Sequence, residues 1–235
     1  MRCSAFARTG YFHKENFIPC EDYYSIIEKD GLSILVICDG AGNKKGGAIA
    51  AKLVSEIVVN YLYENFEKLY FMNSEDAKRR IVQKIDTCLS EYGKIEGITD
   101  KELACTIVAV AIDKEQRCIC LHLGDGIILN YSYNQTVPRV ISSPMNGLTT
   151  KFTFLTMNCD LNQYLQFYRW KENASGTFLL MTDGAYEHFK KIQERSRESF
   201  SDGVKKLNEL QDCLDNCFPI DDYSCGIICY NSNEQ

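Results

Sequence analysis

The sequence predicts an α+β fold in which antiparallel strands form the sheets and helices cover them from outside. The apolar segments alternate between runs typical of buried strands and periodic patterns typical of amphipathic helices. Three strand-like segments also follow one another through connections too short for a helical crossover. We therefore expect them to be antiparallel neighbours: 104–112, 116–123 and 126–131.

The remaining elements follow from the same patterns. Strands are predicted at apolar runs, two of which end in Asp-Gly: 32–38, 177–182 and 224–230. Helices are predicted where apolar residues recur every three or four positions: from 45 onward, from Ser74 to a stop at Gly93, at 185–200 and around 204–214. Residues 142–176 are the least regular stretch and are interpreted as a loop-rich insertion.

Composition bounds the class of protein. The chain has 235 residues, 45% hydrophobic and 25% charged, which is ordinary for a globular protein and excludes a disordered chain or a coiled coil. We expect residues 1–235 to form a single domain. No apolar run reaches the ~18–20 residues of a membrane helix, and residues 1–8 lack a signal-peptide core. The net charge of −6 argues against nucleic acid as a partner. The expected location is the cytoplasm, with no membrane partner.

Twelve cysteines are scattered along the chain, several of them within apolar strand-like runs. Buried free thiols in a reducing compartment are the favoured interpretation. The alternative is a zinc site built from a doubled C-x₃-C spacing, formed by Cys213, Cys217, Cys225 and Cys229.

Aspartates mark the ends of the predicted strands. Asp39 and Asp183 follow apolar runs and precede a glycine, and Asp125 lies between two glycines at an expected hairpin tip. Asp22 and Asp221 come just before apolar segments. Because a sheet gathers its strand ends in one place, these carboxylates would repel one another unless a cation lay between them. Oxygen-only ligands suit Mg²⁺ or Mn²⁺. Simple turn formation by Asp-Gly is the alternative interpretation.

The glycine-rich stretch 40–47 also follows a strand and opens a helix, as phosphate-binding loops do. Its G-x-G-x-x-x-G spacing is one residue longer than the dinucleotide fingerprint, and it begins with the carboxylate of Asp39. The Walker pattern fails because Gly47 is followed by Ala48 rather than lysine. A nucleotide-binding loop is therefore disfavoured.

Read in order, these segments resemble the metal-dependent protein phosphatases of type 2C, as a compact member of the bacterial type. The resemblance covers almost the whole chain as ordered short motifs. The motifs are Pro19-Cys20-Glu21-Asp22, Val36-Ile37-Cys38-Asp39-Gly40-Ala41-Gly42, Ala104-Cys105-Thr106, Leu123-Gly124-Asp125-Gly126, Leu180-Met181-Thr182-Asp183-Gly184 and Asp221-Asp222-Tyr223-Ser224.

The resemblance implies a four-layer α-β-β-α sandwich, two antiparallel sheets flanked by helices, with a binuclear Mn²⁺ or Mg²⁺ centre. In this family pattern Asp39 would bridge both ions and the Gly40 carbonyl would bind one of them. Asp183 and Asp221 would hold the other ion. Asp125 would belong to a weaker third site that it shares with Asp183.

The resemblance also implies catalytic roles, and here the chain departs from the family. Asp22 would act through a water held by the ions. Many members have an arginine near the first motif that binds the substrate phosphate, where this chain offers His13, Lys14 or, further upstream, Arg8. Some members place a histidine after Asp-Gly as a proton donor, whereas this chain has Ala41. His13 is then the candidate donor to the leaving group.

The function implied is hydrolysis of phosphoserine or phosphothreonine in proteins, in a signalling pathway with a cognate serine/threonine kinase. Residues 142–176 lie where the family has a flap beside the substrate. Two alternatives stay open from the sequence alone. One is a catalytically weak member that acts as a binding or regulatory module, and the other is a phosphatase of small metabolites.

Overall fold

The structure is a computed structural model that describes residues 1–42, 46–133, 135–145, 153–157, 159–196 and 203–231, without the side chains of 194–196. The strands are β1 (Arg2–Arg8), β2 (Asp22–Lys29), β3 (Leu32–Asp39), β4 (Ile107–Asp113), β5 (Arg117–Leu123), β6 (Ile127–Ser132), β7 (Arg139–Ser142), β8 (Gln166–Lys171), β9 (Gly176–Met181) and β10 (Tyr223–Tyr230). The α-helices are α1 (Tyr11–Glu15), α2 (Gly47–Phe71), α3 (Ser74–Glu96), α4 (Leu161–Tyr164), α5 (Asp183–Ser196) and α6 (Gly203–Cys217). A 3₁₀ turn spans Asp100–Glu102.

The strands form two antiparallel five-stranded sheets. The β1 sheet has the order β1-β10-β9-β6-β7, and the β2 sheet has the order β2-β3-β4-β5-β8. One apolar cluster lies between the sheets, a second joins the β2 sheet to α2 and α3, and a third joins the β1 sheet to α5 and α6. The predicted four-layer sandwich is confirmed.

Strand β3 shows why this architecture forms. Its residues from Leu32 to Cys38 are all buried, because the strand has a covered layer on each face. Ile34 and Val36 pack towards α2 and α3, whereas Leu35 and Ile37 pack into the cluster between the sheets. A continuous apolar run is therefore the correct pattern for this strand.

The predicted stop of α3 at Gly93 is wrong. The helix continues to Glu96, and Gly97 ends it in the left-handed region at φ +68°. Gly93 is instead buried inside the helix, and a Cβ there would lie 2.7 Å from the carbonyl oxygen of Ile98. Its small size serves packing rather than termination.

The expectation that three consecutive segments are neighbours is correct for β4 and β5 and wrong for β6. The chain leaves the β2 sheet at Leu123 and enters the β1 sheet at Ile127. The connection around Asp125 is thus a link between the two sheets and not a hairpin tip. Gly124 has φ +105°, and a Cβ on it would lie 2.6 Å from Thr106 Cγ2. This bend therefore requires glycine.

Three strands that the sequence did not predict, β1, β7 and β8, lie at the edges of the sheets. Strands β1 and β7 are the edges of one sheet. Strand β8, at the edge of the other, pairs with β5 from inside the stretch interpreted as a loop-rich insertion, so that interpretation is wrong for 166–171.

Helix α5 begins at Asp183, and the predicted helical residues 197–200 lie outside the described residues. No helix among the described residues is long and apolar enough to cross a membrane.

Candidate metal centre

The predicted aspartates gather at one end of both sheets. Asp39, at the end of β3, pairs directly with Asp22 at the start of β2. Asp183 begins α5 directly after β9, Asp221 precedes β10, and Asp125 lies in the link between the sheets. One carboxylate oxygen from each of Asp39, Asp125 and Asp183 lies within 4.8 Å of the other two.

Asp39 is fixed by its backbone. Its amide donates a hydrogen bond to Thr106 Oγ1 at 2.9 Å, and the Thr106 amide donates to the Asp39 carbonyl at 2.8 Å. The next residue, Gly40, donates its amide hydrogen to the Glu21 carbonyl at 3.1 Å. A Cβ on Gly40 would lie 2.5 Å from the carbonyl group of Gly47, so glycine is what allows α2 to begin against the end of β3.

The glycine-rich stretch serves this close packing. A Cβ on Gly46 would lie 2.8 Å from the Glu102 carbonyl oxygen, and one on Gly47 would lie 2.6 Å from the Ala41 carbonyl oxygen. Residues 43–45 lie outside the described residues.

Asp22 connects the two sheets through hydrogen bonds. Its buried carboxylate accepts a hydrogen bond at 3.0 Å from the hydroxyl of Thr182, which follows β9. The same Thr182 oxygen accepts one at 2.9 Å from the Ser224 amide in β10. The β2 strand therefore starts at a fixed position relative to β9 and β10.

Asp183 lies in the first turn of α5, where the partial positive charge of the helix end favours a carboxylate. Its Oδ1 accepts a hydrogen bond from the Gly184 amide at 2.7 Å. A Cβ on Gly184 would lie 2.1 Å from the Asp222 carbonyl oxygen. The start of α5 thus packs directly on the backbone that precedes β10.

Asp125 contacts the stretch predicted to be a flap. Its Oδ2 accepts a hydrogen bond from the Thr153 hydroxyl, and the Met145 amide donates to the Gly124 carbonyl at 2.7 Å. Its Oδ1 is buried and has no hydrogen-bond partner among the described residues. The residues of this stretch that the structure describes therefore reach the aspartates, and 146–152 lie outside them.

Desolvation and mutual repulsion raise the pKa values of the carboxyls. The pKa of Asp39 is raised well above its usual range by desolvation and then by the charges of Asp22, Asp183, Asp125 and Asp221. Desolvation is also the main cause that raises the pKa of Asp22 to about 8 and that of Asp183 to about 7. Desolvation likewise raises the pKa of Asp221, whereas the hydrogen bond from the Asp222 amide lowers it. Clustered carboxyls of this kind ionise fully when a cation compensates their charge.

The donor set fits a hard divalent cation. The three converging side chains supply carboxylate oxygens alone, and Asp125 Oδ1 is a buried acceptor available to a ligand. Mg²⁺ and Mn²⁺ prefer such oxygens. The zinc alternative is not supported, because Cys213 and Cys217 are exposed on α6 whereas Cys225 is buried inside β10.

Asp222 lies at the site, and the sequence assigns it no role. Its Oδ1 accepts a hydrogen bond from the Gly10 amide at 2.7 Å, and its Oδ2 accepts one from the Glu21 amide at 2.6 Å. The same Oδ2 lies 2.9 Å from His13 Nδ1. Asp222 thus holds the segment that carries His13 against the aspartates. The doublet Asp221-Asp222 is the signal in the sequence, and the family pattern gives a role to its first member alone.

The three candidates for phosphate contact differ in position. His13 is buried in α1, with Nε2 3.8 Å from Glu21 Oε2. Lys14 is exposed in the last turn of the same helix. Arg8 ends β1 with its guanidinium 5.9 Å from the centroid of the Phe6 ring. Among them, His13 has a position fixed by two acidic side chains.

Comparisons with known proteins agree with this arrangement. The family model described as Protein phosphatase 2C matches residues 9–216. A bacterial serine phosphatase has a TM-score of 0.72 at 18% identity, covering 100% of both chains. The serine/threonine phosphatase Stp1 from Staphylococcus aureus has a TM-score of 0.69 at 17% identity, covering 98% of this chain and 95% of that one.

The catalytic domain of the serine/threonine protein phosphatase PstP, solved in complex with 2 manganese ions, has a TM-score of 0.67 at 14% identity and covers 96% of each chain. No curated protein matches the sequence significantly. The match of the family model spans most of the chain and includes Asp22, Asp39, Asp125 and Asp183. The chain therefore belongs to the protein phosphatase 2C family of protein serine/threonine phosphatases.

Proposed function

We propose that this protein hydrolyses phosphoserine and phosphothreonine esters in proteins at the aspartate cluster, with two Mn²⁺ or Mg²⁺ ions as cofactors. The observation that carries the proposal is the convergence of Asp39, Asp125 and Asp183 within 4.8 Å in a fold of this family. The substrate would come from a serine/threonine kinase that acts in the same pathway.

The ligands follow the family pattern. Asp39 would be shared by both ions, the Gly40 carbonyl would serve one, and Asp183 and Asp221 would serve the other. Asp125 would contribute to a weaker third site. When bound, paired divalent ions lower the pKa of a water and neutralise charge on the phosphoryl oxygens.

The chain's own residues would position the reactants. Asp22, held by the Thr182 hydroxyl at 3.0 Å, would accept a hydrogen bond from the attacking water and orient it. His13 would donate a proton to the leaving serine or threonine oxygen. Its imidazole is oriented for this role by Asp222 at 2.9 Å and Glu21 at 3.8 Å.

The test is a rate measurement against Mn²⁺ concentration with an aryl phosphate and a phosphoserine peptide. We expect hydrolysis that depends on Mn²⁺ and stops in excess chelator. Asp39→Asn should lower kcat by at least ~10²–10³-fold at saturating Mn²⁺, by analogy with loss of one preorganised electrostatic group. Asp125→Asn should mainly raise the Mn²⁺ concentration for half-maximal rate. Asp76→Asn, which removes an exposed carboxylate of α3, should change neither value.

Robust turnover in excess chelator, or none with any divalent ion, contradicts the proposed function. Near-normal kcat for Asp39→Asn at saturating metal contradicts its shared position and leaves the aspartates as turn residues. Activity on the aryl phosphate but not on phosphopeptides would favour a small-molecule substrate.

A further inference from the structure

Large hydrophobic side chains are exposed on two short segments beside the aspartate cluster. Among the described residues, thirteen large hydrophobic residues are exposed, and six of them lie within 11–18 and 218–220. We call these six residues the rim patch: Tyr11, Phe12, Phe17, Ile18, Phe218 and Ile220. Contiguous apolar surface of this kind marks an interaction site more often than chance exposure.

The two segments form one surface. The Tyr11 amide donates to the Pro219 carbonyl at 2.8 Å, and the Phe12 amide donates to the Ile220 carbonyl at 3.0 Å. The turn after α1 folds back on the helix, since the Ile18 amide donates to the His13 carbonyl at 2.9 Å. The exposed side chains are therefore carried by backbone that is hydrogen-bonded together.

This surface is continuous with the proposed catalytic centre. Ile220 directly precedes Asp221, and a Cβ on Gly10 would lie 2.2 Å from the Asp221 carbonyl. His13 lies on the same short helix as Tyr11 and Phe12, with its ring centroid 5.9 Å from that of Phe12. These residues therefore lie beside the aspartate cluster, where a chain that delivers a phosphoryl group can contact them.

Two members of the rim patch are held in a costly backbone conformation. Phe17 has φ +57° and Phe218 has φ +49°, in the left-handed region that bulky residues avoid. Their side chains are nevertheless 95% and 71% exposed, so packing within this chain does not explain their presence. Exposure and backbone strain together point to a role outside the folding of this chain.

Resting on the proposed function, we propose that the rim patch binds the phosphoprotein substrate through a large apolar side chain within a few residues of the phosphorylated position. The continuity with the centre favours this occupant. A second copy or a bilayer on the same surface would cover the approach to the aspartates, and the net charge of −6 disfavours an anionic membrane. Exposed Lys14, on the same helix, adds a cation that complements a phosphopeptide.

The experiment uses the double variant Phe17→Asn/Phe218→Asn. Asparagine tolerates the left-handed region, so the variant removes the apolar surface while easing the backbone. The matched control is Ile95→Asn, which removes a 79% exposed side chain at the end of α3. The substrates are an aryl phosphate and two phosphoserine peptides that differ by leucine or alanine beside the phosphorylated residue.

We expect wild type to prefer the leucine peptide by about tenfold in kcat/KM, and the double variant to lose that preference. Hydrolysis of the aryl phosphate should not change, and Ile95→Asn should behave as wild type. Equal kcat/KM values for the two peptides in wild type overturn the proposal. A double variant that keeps the preference for the leucine peptide also overturns it. The same holds if the double variant loses self-association or vesicle binding and not the peptide preference.

Peptide binding to the Asp39→Asn protein, followed by fluorescence anisotropy, separates this proposal from the proposed function. Preferential binding of the leucine peptide that disappears with Phe17→Asn/Phe218→Asn supports the rim patch even if no turnover occurs. Equal binding of both peptides contradicts it even if the aryl phosphate is hydrolysed normally.

Discussion

A single buried carboxyl, that of Asp22, links the chemistry of the cluster to the stability of the fold. It accepts a hydrogen bond from Thr182 and pairs in register with Asp39. Desolvation, with a further contribution from the Asp222 charge, raises its pKa from 3.8 to about 8. The folded protein without metal therefore binds a proton at Asp22 that the unfolded chain has already released.

The proton bound at Asp22 makes the free energy of unfolding depend on pH, and the sign of this dependence follows from the raised pKa. Between pH 3.8 and about 8 the folded state binds more protons at Asp22 than the unfolded state, so the free energy of unfolding should fall as the pH rises through this window. Asp22→Asn lacks the titrating group, so its stability should fall less steeply than that of wild type. Urea denaturation at several pH values, in chelator, measures both slopes.

Added Mn²⁺ serves as the control for the same measurement. A cation at the cluster favours the ionised carboxyls, so it should flatten the slope of the wild type more than that of Asp22→Asn. Parallel curves for the two proteins in chelator would show that the Asp22 carboxyl ionises at its ordinary pKa in the folded state.

At the scale of elements, the start of α5 is positioned by a backbone contact. Gly184→Ala would place a Cβ 2.1 Å from the Asp222 carbonyl oxygen. This oxygen cannot move without displacing Asp222, whose carboxylate contacts His13. We expect a loss of ~1–3 kcal/mol in stability, as for other overpacked sites. Asp183 lies in the first turn of this helix and would move with it. Gly184→Ala should therefore also raise the Mn²⁺ concentration needed for half-maximal rate.

Gly97→Ala is the matched comparison. Gly97 has φ +68°, but a Cβ added there would have no atom within 4 Å, so alanine brings backbone strain without a clash. It should cost ~1–2 kcal/mol and leave the Mn²⁺ dependence unchanged. If both variants shift the Mn²⁺ dependence equally, the effect of Gly184 reflects general destabilisation and not the position of Asp183.

The sequence predicts the central strands and the converging aspartates because both have strong local causes. A strand covered on both faces needs a continuous apolar run, as in β3, and Asp-Gly marks where such a strand ends. Edge strands such as β8 bury only part of their surface and leave a weaker pattern. The passage of β6 into the other sheet depends on packing between layers, which a short connection around Asp125 does not encode.

At the scale of the whole molecule, the cysteines are distributed by burial and not by pairing. All twelve are free thiols in the structure, and Cys213 and Cys217 are the exposed ones. Desolvation raises the pKa of Cys159 to about 11 and that of Cys3 to about 12. The thiolate form that reacts is therefore scarce even at these half-buried positions.

Thiol titration with a disulfide reagent tests this distribution. The native protein should show a fast phase of two thiols, and the denatured protein should show all twelve. Cys213→Ser/Cys217→Ser should remove the fast phase and leave the Mn²⁺-dependent rate unchanged. Fewer than twelve thiols after denaturation, or bound zinc that this double variant loses, would contradict free thiols throughout.

Because the link from Gly124 to Gly126 joins the two sheets, the ionic radius that the aspartate cluster accepts depends on how the whole sandwich is packed. Asp39 belongs to one sheet, Asp183 follows a strand of the other, and Asp125 lies on the chain that joins them. The spacing of their carboxylates therefore depends on how closely the sheets stack. The sheets are close at Gly226, where an added Cβ would lie 2.7 Å from Leu35 Cδ2. Ligand distances of Mg²⁺ and Ca²⁺ differ by only ~0.2–0.6 Å. Interior substitutions that change the stacking by that amount would tune which divalent ion fits, without touching a carboxylate.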